Sequence, residues 1–152
     1  MKKVTLVLAM LVGSTLAVAG GVAEKKARDA VDAAVAKAAS DIKSCGKKFT
    51  VTFDWKAYDA IDWKGIGRDK LDYMENERMS LADLGIGLDK LCADKDYKAA
   101  FVKISNIVYR STNDDKITVK ATVSGSTLTI ANYSFGSTRH TDDYETAAKA
   151  AL

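Results

Sequence analysis

The sequence predicts an α+β fold in which an antiparallel four-stranded sheet carries a long N-terminal helix and further helices packed on one face. Two stretches carry that reading. Between Lys116 and Phe135, Ile117, Val119, Ala121 and Val123 alternate with Thr118, Lys120 and Thr122, and a second run with Leu128 and Ile130 inward follows Ser124-Gly125-Ser126. That is a hairpin with one buried face. Over 22–44, Ala27, Val31, Ala34, Val35, Ala38 and Ile42 recur at the spacing of one helical face, with neither proline nor glycine to break it.

Parity fixes the hairpin turn. An even loop puts Val123 and Leu128 on one face, so a two-residue turn on Gly125-Ser126, glycine first, fits best. The apolar phase then moves to Tyr133 and Phe135, which a strand of period two does not allow without an extra residue. A β-bulge near Ala131-Asn132 is the expected repair.

In chain order, Met1-Lys2-Lys3, the apolar run Val4–Val12 and the small residues Leu16 to Gly20 form the three parts of a secretory signal peptide. The expectation is a leader over 1–19, cleaved after Ala19, and a single α+β domain over 20–152. The apolar run is shorter than the ~20 residues of a spanning helix, so stable membrane insertion after cleavage is not expected. Cys45-Gly46 would close the first helix. Phe49, Val51, Phe53 and Trp55 alternate with Thr50, Thr52 and Asp54 as a strand. Ser80 can cap a helix through Leu81, Leu84, Leu88, Leu91 and Cys92, although Gly85 and Gly87 weaken it. A short helix through Tyr97, Phe101 and Ile104 follows, then a strand at Ile107–Tyr109 ending in the turn Asn113-Asp114-Asp115. Thr141-Asp142-Asp143 would start a last helix.

The charge balance bears on partners. The full chain has a formal net charge of +3, and removing Lys2 and Lys3 leaves +1. Basic and acidic residues are mixed throughout, whereas nucleic acid or an anionic membrane would ask for a concentrated Lys/Arg patch, so neither partner is expected. An even number of cysteines in an exported chain reads as one disulfide, Cys45–Cys92. On the chain-entropy account a loop of that size gives about 4 kcal/mol, less any strain.

Catalytic signals are weak. His140, the single histidine, cannot build a zinc site with two oxidised cysteines, and no G-x-S-x-G elbow is present. Gly65-Ile66-Gly67 and Gly85-Ile86-Gly87 lack the rest of a phosphate-binding loop. The pairs Asp59/Asp62 and Asp69/Asp72 are too sparse for a calcium loop and read as solvated helix surface. No catalytic residue, metal or cofactor is predicted.

The irregular stretch 56–79 is the part that regular packing does not consume. With Trp55 before it, it gathers both tryptophans, and the candidate binding residues are Trp55, Tyr58, Trp63, Arg68 and Tyr73. Trp63 and Arg68 would be the exposed anchors with Tyr58 and Tyr73 beside them, since binding residues favour loops on a rigid scaffold. The reading placed first makes Trp55, Tyr58, Trp63 and Tyr73 the lid of the core over the sheet, with one or two of the four exposed. The functional expectation is a small exported protein, periplasmic or secreted, that binds or inhibits another envelope or extracellular protein without catalysis. The alternatives are a small hydrolase using acidic residues or His140, and a structural envelope component.

Overall fold

The computed structural model describes residues 13–66, 69–133, 135 and 138–152, with no side-chain description for 13–20 and Lys64. Most of the expected leader, and Arg68, lie outside the described residues. The chain runs α1 (Gly13–Asp41), β1 (Thr50–Phe53), α2 (Trp55–Asp59), α3 (Trp63–Ile66), α4 (Lys70–Ala93), α5 (Lys95–Phe101), β2 (Asn106–Ser111), β3 (Val119–Ser124), β4 (Thr127–Asn132) and α6 (Thr141–Ala151).

The fold is α+β, but the sheet is mixed and mostly parallel rather than antiparallel. Its order is β1-β2-β4-β3, with β1 parallel to β2, β2 parallel to β4, and only β3 antiparallel to β4. The reason lies in the connections. β1 is joined to β2 through α2 to α5, the long crossover that parallel neighbours require. The hairpin then places β4, not β3, beside β2. Parallel strands are usually apolar on both faces because both are covered. Here the helices cover one, where Val51, Ile107, Leu128 and Val123 form one row and Phe53, Tyr109, Ile130 and Ala121 the next. The opposite face carries Thr52, Val108, Thr129 and Thr122 in one row, all exposed or half-buried.

The turn on Gly125-Ser126 is as the parity requires: Ser124 pairs with Thr127, Val123 with Leu128, and Gly125 has φ +58°. The bulge is absent. β4 keeps its register through Asn132, and Tyr133 N–H still donates to Thr118 C=O at 3.1 Å. The apolar phase breaks because the inward position is held by a buried asparagine.

The helices differ from expectation at their ends. The long helix starts at Gly13, so it is not at the amino terminus but follows residues outside the description, and it ends at Asp41. Gly46 (φ +73°) closes a separate turn, its N–H on Lys43 C=O. α4 begins well before Ser80, with the Asp69 carboxylate accepting from Leu71 N–H at 2.9 Å. Its two internal glycines sit where neighbouring helices touch: an added Cβ would meet the Ala38 backbone of α1 from Gly85 and the Thr141 carbonyl of α6 from Gly87. α4 is thus the central helix, flanked by α1 and α6. At α6, His140 takes the N-cap position expected for Thr141, its N–H donating to Asp143 at 3.0 Å.

Cys45 and Cys92 are bridged, with Cα atoms 4.6 Å apart, joining the turn after α1 to the end of α4. Asp89 ties the same corner, accepting from the backbone N–H groups of Lys43 (2.6 Å) and Ser44 (2.7 Å). Partial burial pulls the Asp89 pKa up, but these hydrogen bonds outweigh it and leave the pKa lowered.

Candidate functional site

The parallel strands β1, β2 and β4 end together, at Phe53-Asp54, Ser111 and Asn132. In open sheets that share this sense, ligands favour the carboxyl ends of the strands. Two groups of side chains meet there, one sealed and one at the surface.

The sealed group centres on Glu77 of α4, which is fully buried. Its carboxylate accepts from the Tyr109 hydroxyl at 2.5 Å, the Ser111 hydroxyl at 2.6 Å and the Asn132 amide at 3.1 Å. The Tyr144 hydroxyl of α6 lies 3.4 Å from that of Tyr109. Burial, and then the neighbouring carboxylate, pushes the Tyr109 phenol well above its ordinary pKa, and burial does the same to Tyr144. Both phenols therefore stay protonated and keep bridging α4 to β2 and α6. Ser111 and Asn132 look like solvent-facing polar residues in sequence, yet they occupy the inward register of their strands. With Glu77, Tyr109, Asn132 and Tyr144 at zero exposure, the cluster cannot touch a substrate. Its effect is to hold the strand ends to the helical layer.

The surface group is aromatic. Rings follow one another from Phe53 to Trp55 (4.4 Å between centroids), Trp55 to Tyr58 (5.6 Å), Tyr58 to Trp63 (4.7 Å), Trp63 to Tyr73 (5.1 Å) and Tyr73 to Phe135 (4.1 Å). Tyr58 and Tyr73 are buried, as the lid-of-the-core reading has it for these two, and they form the floor of the cluster. Trp55, Trp63 and Phe135 are half-buried and lie over it. Both indoles are fixed by their N–H groups, Trp55 on Asp32 at 3.0 Å and Trp63 on the Tyr58 carbonyl at 3.1 Å. The Arg28 guanidinium sits 4.5 Å over the Trp55 ring.

Arg28 belongs to a four-residue ion network that joins α1, α2 and α4. It pairs with Glu24 (2.9 Å) and Asp59 (2.5 Å), and Lys70 pairs with the same two carboxylates at 2.7 and 3.1 Å. Hydrogen bonds from Lys70 and then Arg28 lower the Glu24 pKa. For Asp59, partial burial pulls upward, and the bonds from Arg28 and Lys70 overcome it to leave the pKa lowered. Asp59 thus carries two ion pairs, and Asp69 caps α4. His140 is exposed at the start of α6. Among the described residues no group of three or more His, Cys, Asp or Glu side chains could hold a metal ion.

Trp55, Tyr58, Trp63 and Tyr73 are therefore brought together in one ring cluster. Sequence reasoning missed Phe135, Arg28 and Asp32. Phe135 was visible only as a phase break after β4, and Arg28 and Asp32 sit one turn apart on the polar side of α1, a spacing that any solvated helix shows. No family model, curated protein or solved structure matches the chain.

Proposed function

We propose that the protein is a small exported, non-enzymatic binding or inhibitory protein that grips another envelope or extracellular protein through Trp55 and Trp63. The observation that carries this is the state of the two indoles: partly buried with some surface left open, hydrogen-bonded in place, and packed on buried tyrosines. Large aromatics that are already ordered lose little entropy on binding, which is the setting in which tryptophan supplies most interface energy. The disulfide fits an oxidising compartment, and no described helix is long and apolar enough to cross a membrane. The hydrolase alternative has less support, because Asp59 is occupied by Arg28 and Lys70.

The test is retention of a partner from envelope extract by the immobilised protein, followed by affinity measurement with Trp63→Ala. The change should weaken binding by about 2 kcal/mol or more. It also uncovers Tyr58 and Tyr73, so a melt must accompany it; for a ring only half-buried, the stability loss should stay below the ~3–5 kcal/mol of a fully buried one. A partner bound equally well by folded Trp63→Ala and Trp55→Ala proteins, or no retained partner at all, would defeat the reading.

A further inference from the structure

At the corner where α1 gives way to β1, a groove of about 580 Å³ is lined by three lysines and, among the described residues, by no acid. We infer that it binds an anionic amphiphile, a single acyl chain ended by a carboxylate. The groove lies at the amino end of β1, the opposite end of the strand from Trp55, and does not depend on the role proposed for the indoles.

The walls fix the apolar part of the ligand. α1 supplies Ala36, Ala39 and Ser40 at helical spacing, and Ile42 and Phe49 close the bottom. Gly46, at φ +73°, turns the chain so that Lys47 and Lys48 run back beside the helix. The Ser40 hydroxyl donates to Lys37 C=O at 2.7 Å, so it is satisfied within its own helix. What remains along the groove is methyl groups and lysine stems, a surface that accepts a hydrocarbon chain. From Ala36 to Lys43 the helix rises about 10 Å, room for an acyl chain of medium length laid along it. The volume lies in the range of small-molecule sites.

Charge selects the head. Lys25, Arg28 and Lys37 of the same helix each pair with a carboxylate, whereas Lys43, Lys47 and Lys48 have no ion pair among the described residues. Asp89 is close enough to feel the charge of Lys43, but its carboxylate is taken up by the N–H groups of Lys43 and Ser44 and by the Ser44 hydroxyl. Asp41 is bonded to Lys37, and its Cβ faces Gly85 of α4. Lys47 Nζ donates to Val102 C=O at 2.5 Å and stands 5.1 Å from the centre of the Phe49 ring, held at the groove with donors to spare. The ammonium of Lys98 joins the same turn, on Ser44 C=O at 2.9 Å. The carboxyl end of α1 carries a partial negative charge here, which three ammonium groups outweigh. A cationic chain is repelled by this set, and a bare inorganic anion leaves the apolar walls uncovered. A bilayer is the poorer match, because insertion asks for bulky exposed apolar residues, and here Ile42 and Phe49 are buried at 3% and 7% exposure.

The experiment is calorimetric titration of the disulfide-bonded protein with decanoate up to about 1 mM, enough to detect a modest small-molecule site. Acetate, decyltrimethylammonium and phosphatidylglycerol vesicles are the comparison arms. Decanoate should saturate one site and bind at least tenfold more tightly than acetate, and the cationic chain should not compete. Amide shifts in NMR should centre on Ala36, Ala39, Gly46 and Phe49. Lys48→Glu reverses the charge of an exposed side chain, and Ala36→Glu puts a carboxylate on an exposed helical position inside the groove. Each should weaken decanoate binding at least tenfold. Melts report whether the variants fold, and if one does not, the other decides. No saturation by decanoate, equal binding of the cationic chain, shifts centred elsewhere, or binding that a folded variant leaves unchanged overturns the inference. So does a protein that sediments with the vesicles yet binds no decanoate.

Discussion

Replacing Gly87 or Gly85 by alanine pits two effects of opposite sign against each other. In the interior of a helix, glycine to alanine stabilises by about 1 kcal/mol through backbone entropy. At Gly87, however, a Cβ would lie 2.7 Å from the Thr141 carbonyl oxygen and 3.3 Å from the Tyr144 Cβ; at Gly85 it would lie 2.9 Å from the Ala38 Cα and 3.0 Å from the Ala38 carbonyl oxygen. These are mostly backbone atoms, which cannot rotate away. α6 or α1 must instead move by several tenths of an ångström, disturbing the buried Tyr144 and Ala148 in one case and Val35 and Ala38 in the other. Overpacking of this kind costs about 1–3 kcal/mol, and rigid obstacles put it in the upper part of that range. The net expectation is a loss of about 1–2 kcal/mol for each variant, read as a melting point lower by roughly 2–8 °C for a domain of this size. The two sites face different helices, so the double variant should lose close to the sum. Ile86→Ala, between them and 48% exposed, serves as a control and should change little. Circular-dichroism melts with the disulfide intact measure all four proteins. A melting point raised by either glycine replacement would refute the close-approach reasoning.

Glu77→Ala should be far more severe, about 3 kcal/mol or more by urea titration, because it removes the acceptor of three buried donors, leaving the Ser111 hydroxyl without that partner and Tyr109 and Asn132 with only each other and Tyr144; a midpoint within error of the wild type would contradict the sealed cluster. Reducing the Cys45–Cys92 bond should lower stability by about 2–4 kcal/mol, and a thiol assay on denatured, unreduced protein should find no free sulfhydryl. The lowered pKa values of Glu24 and Asp59 give an acid dependence: their contribution is full above the ordinary carboxylate values of 4.5 and 3.8 and is lost as the pH falls through the lower folded-state values. The groups are partly exposed, so the whole effect should be no more than about 1 kcal/mol per carboxylate, reduced by salt. The Arg28→Ala protein, which lacks the pair, should show a shallower loss of melting temperature below pH 4.

Much of the fold was legible in the sequence, and the failures have physical causes. The α1 stripe from Ala27 to Ile42, the Val119–Ile130 hairpin with its Gly125 turn and the cysteine pair were all signalled by period, parity and count. Strand direction was not. The order helix, strand, helices, three strands, helix suggests an antiparallel sheet, yet the order of elements does not fix strand direction. The helical stretch between Phe53 and Asn106 was the available clue, because a crossover of that length suits parallel neighbours. The expected bulge failed for a related reason. A bulge near Ala131-Asn132 serves to restore an apolar phase, whereas Asn132 itself holds the inward position at 0% exposure. Ser111 escaped notice in the same way. A pattern of apolar residues locates a buried face only where that face is apolar, and at the carboxyl end of this sheet it is not. The glycines of α4 were read as weakness because a helix in isolation has no neighbours; their reason appears only when α1 and α6 arrive. In the site, the aromatic cluster was found and its layering was not, since four aromatics in one irregular stretch do not reveal which of them lie beneath the others.

The sealed cluster and the tryptophan platform are linked through one residue. Tyr109 donates to Glu77 through its hydroxyl and stacks with Phe53 at 5.7 Å between centroids, and Phe53 in turn contacts Trp55 at 4.4 Å. The Glu77 network thus fixes the ring that supports the support of Trp55, while the Glu24–Arg28–Asp59–Lys70 network fixes Trp55 from the other side. On the binding role proposed for the indoles, this backing would lower the cost of binding, because each rotamer left free must be ordered when a partner docks. Loosening either network should therefore weaken a partner's grip without removing a single contact atom. Tyr109→Phe isolates that route: it keeps the stacked ring, deletes the hydroxyl that meets Glu77, and should raise the dissociation rate more than it changes the association rate. If Tyr109→Phe binds as the wild type does, the contacts of Trp55 with Phe53, Tyr58, Arg28 and Asp32 hold it without help from the Tyr109 hydroxyl, and the interior cluster has no part in recognition.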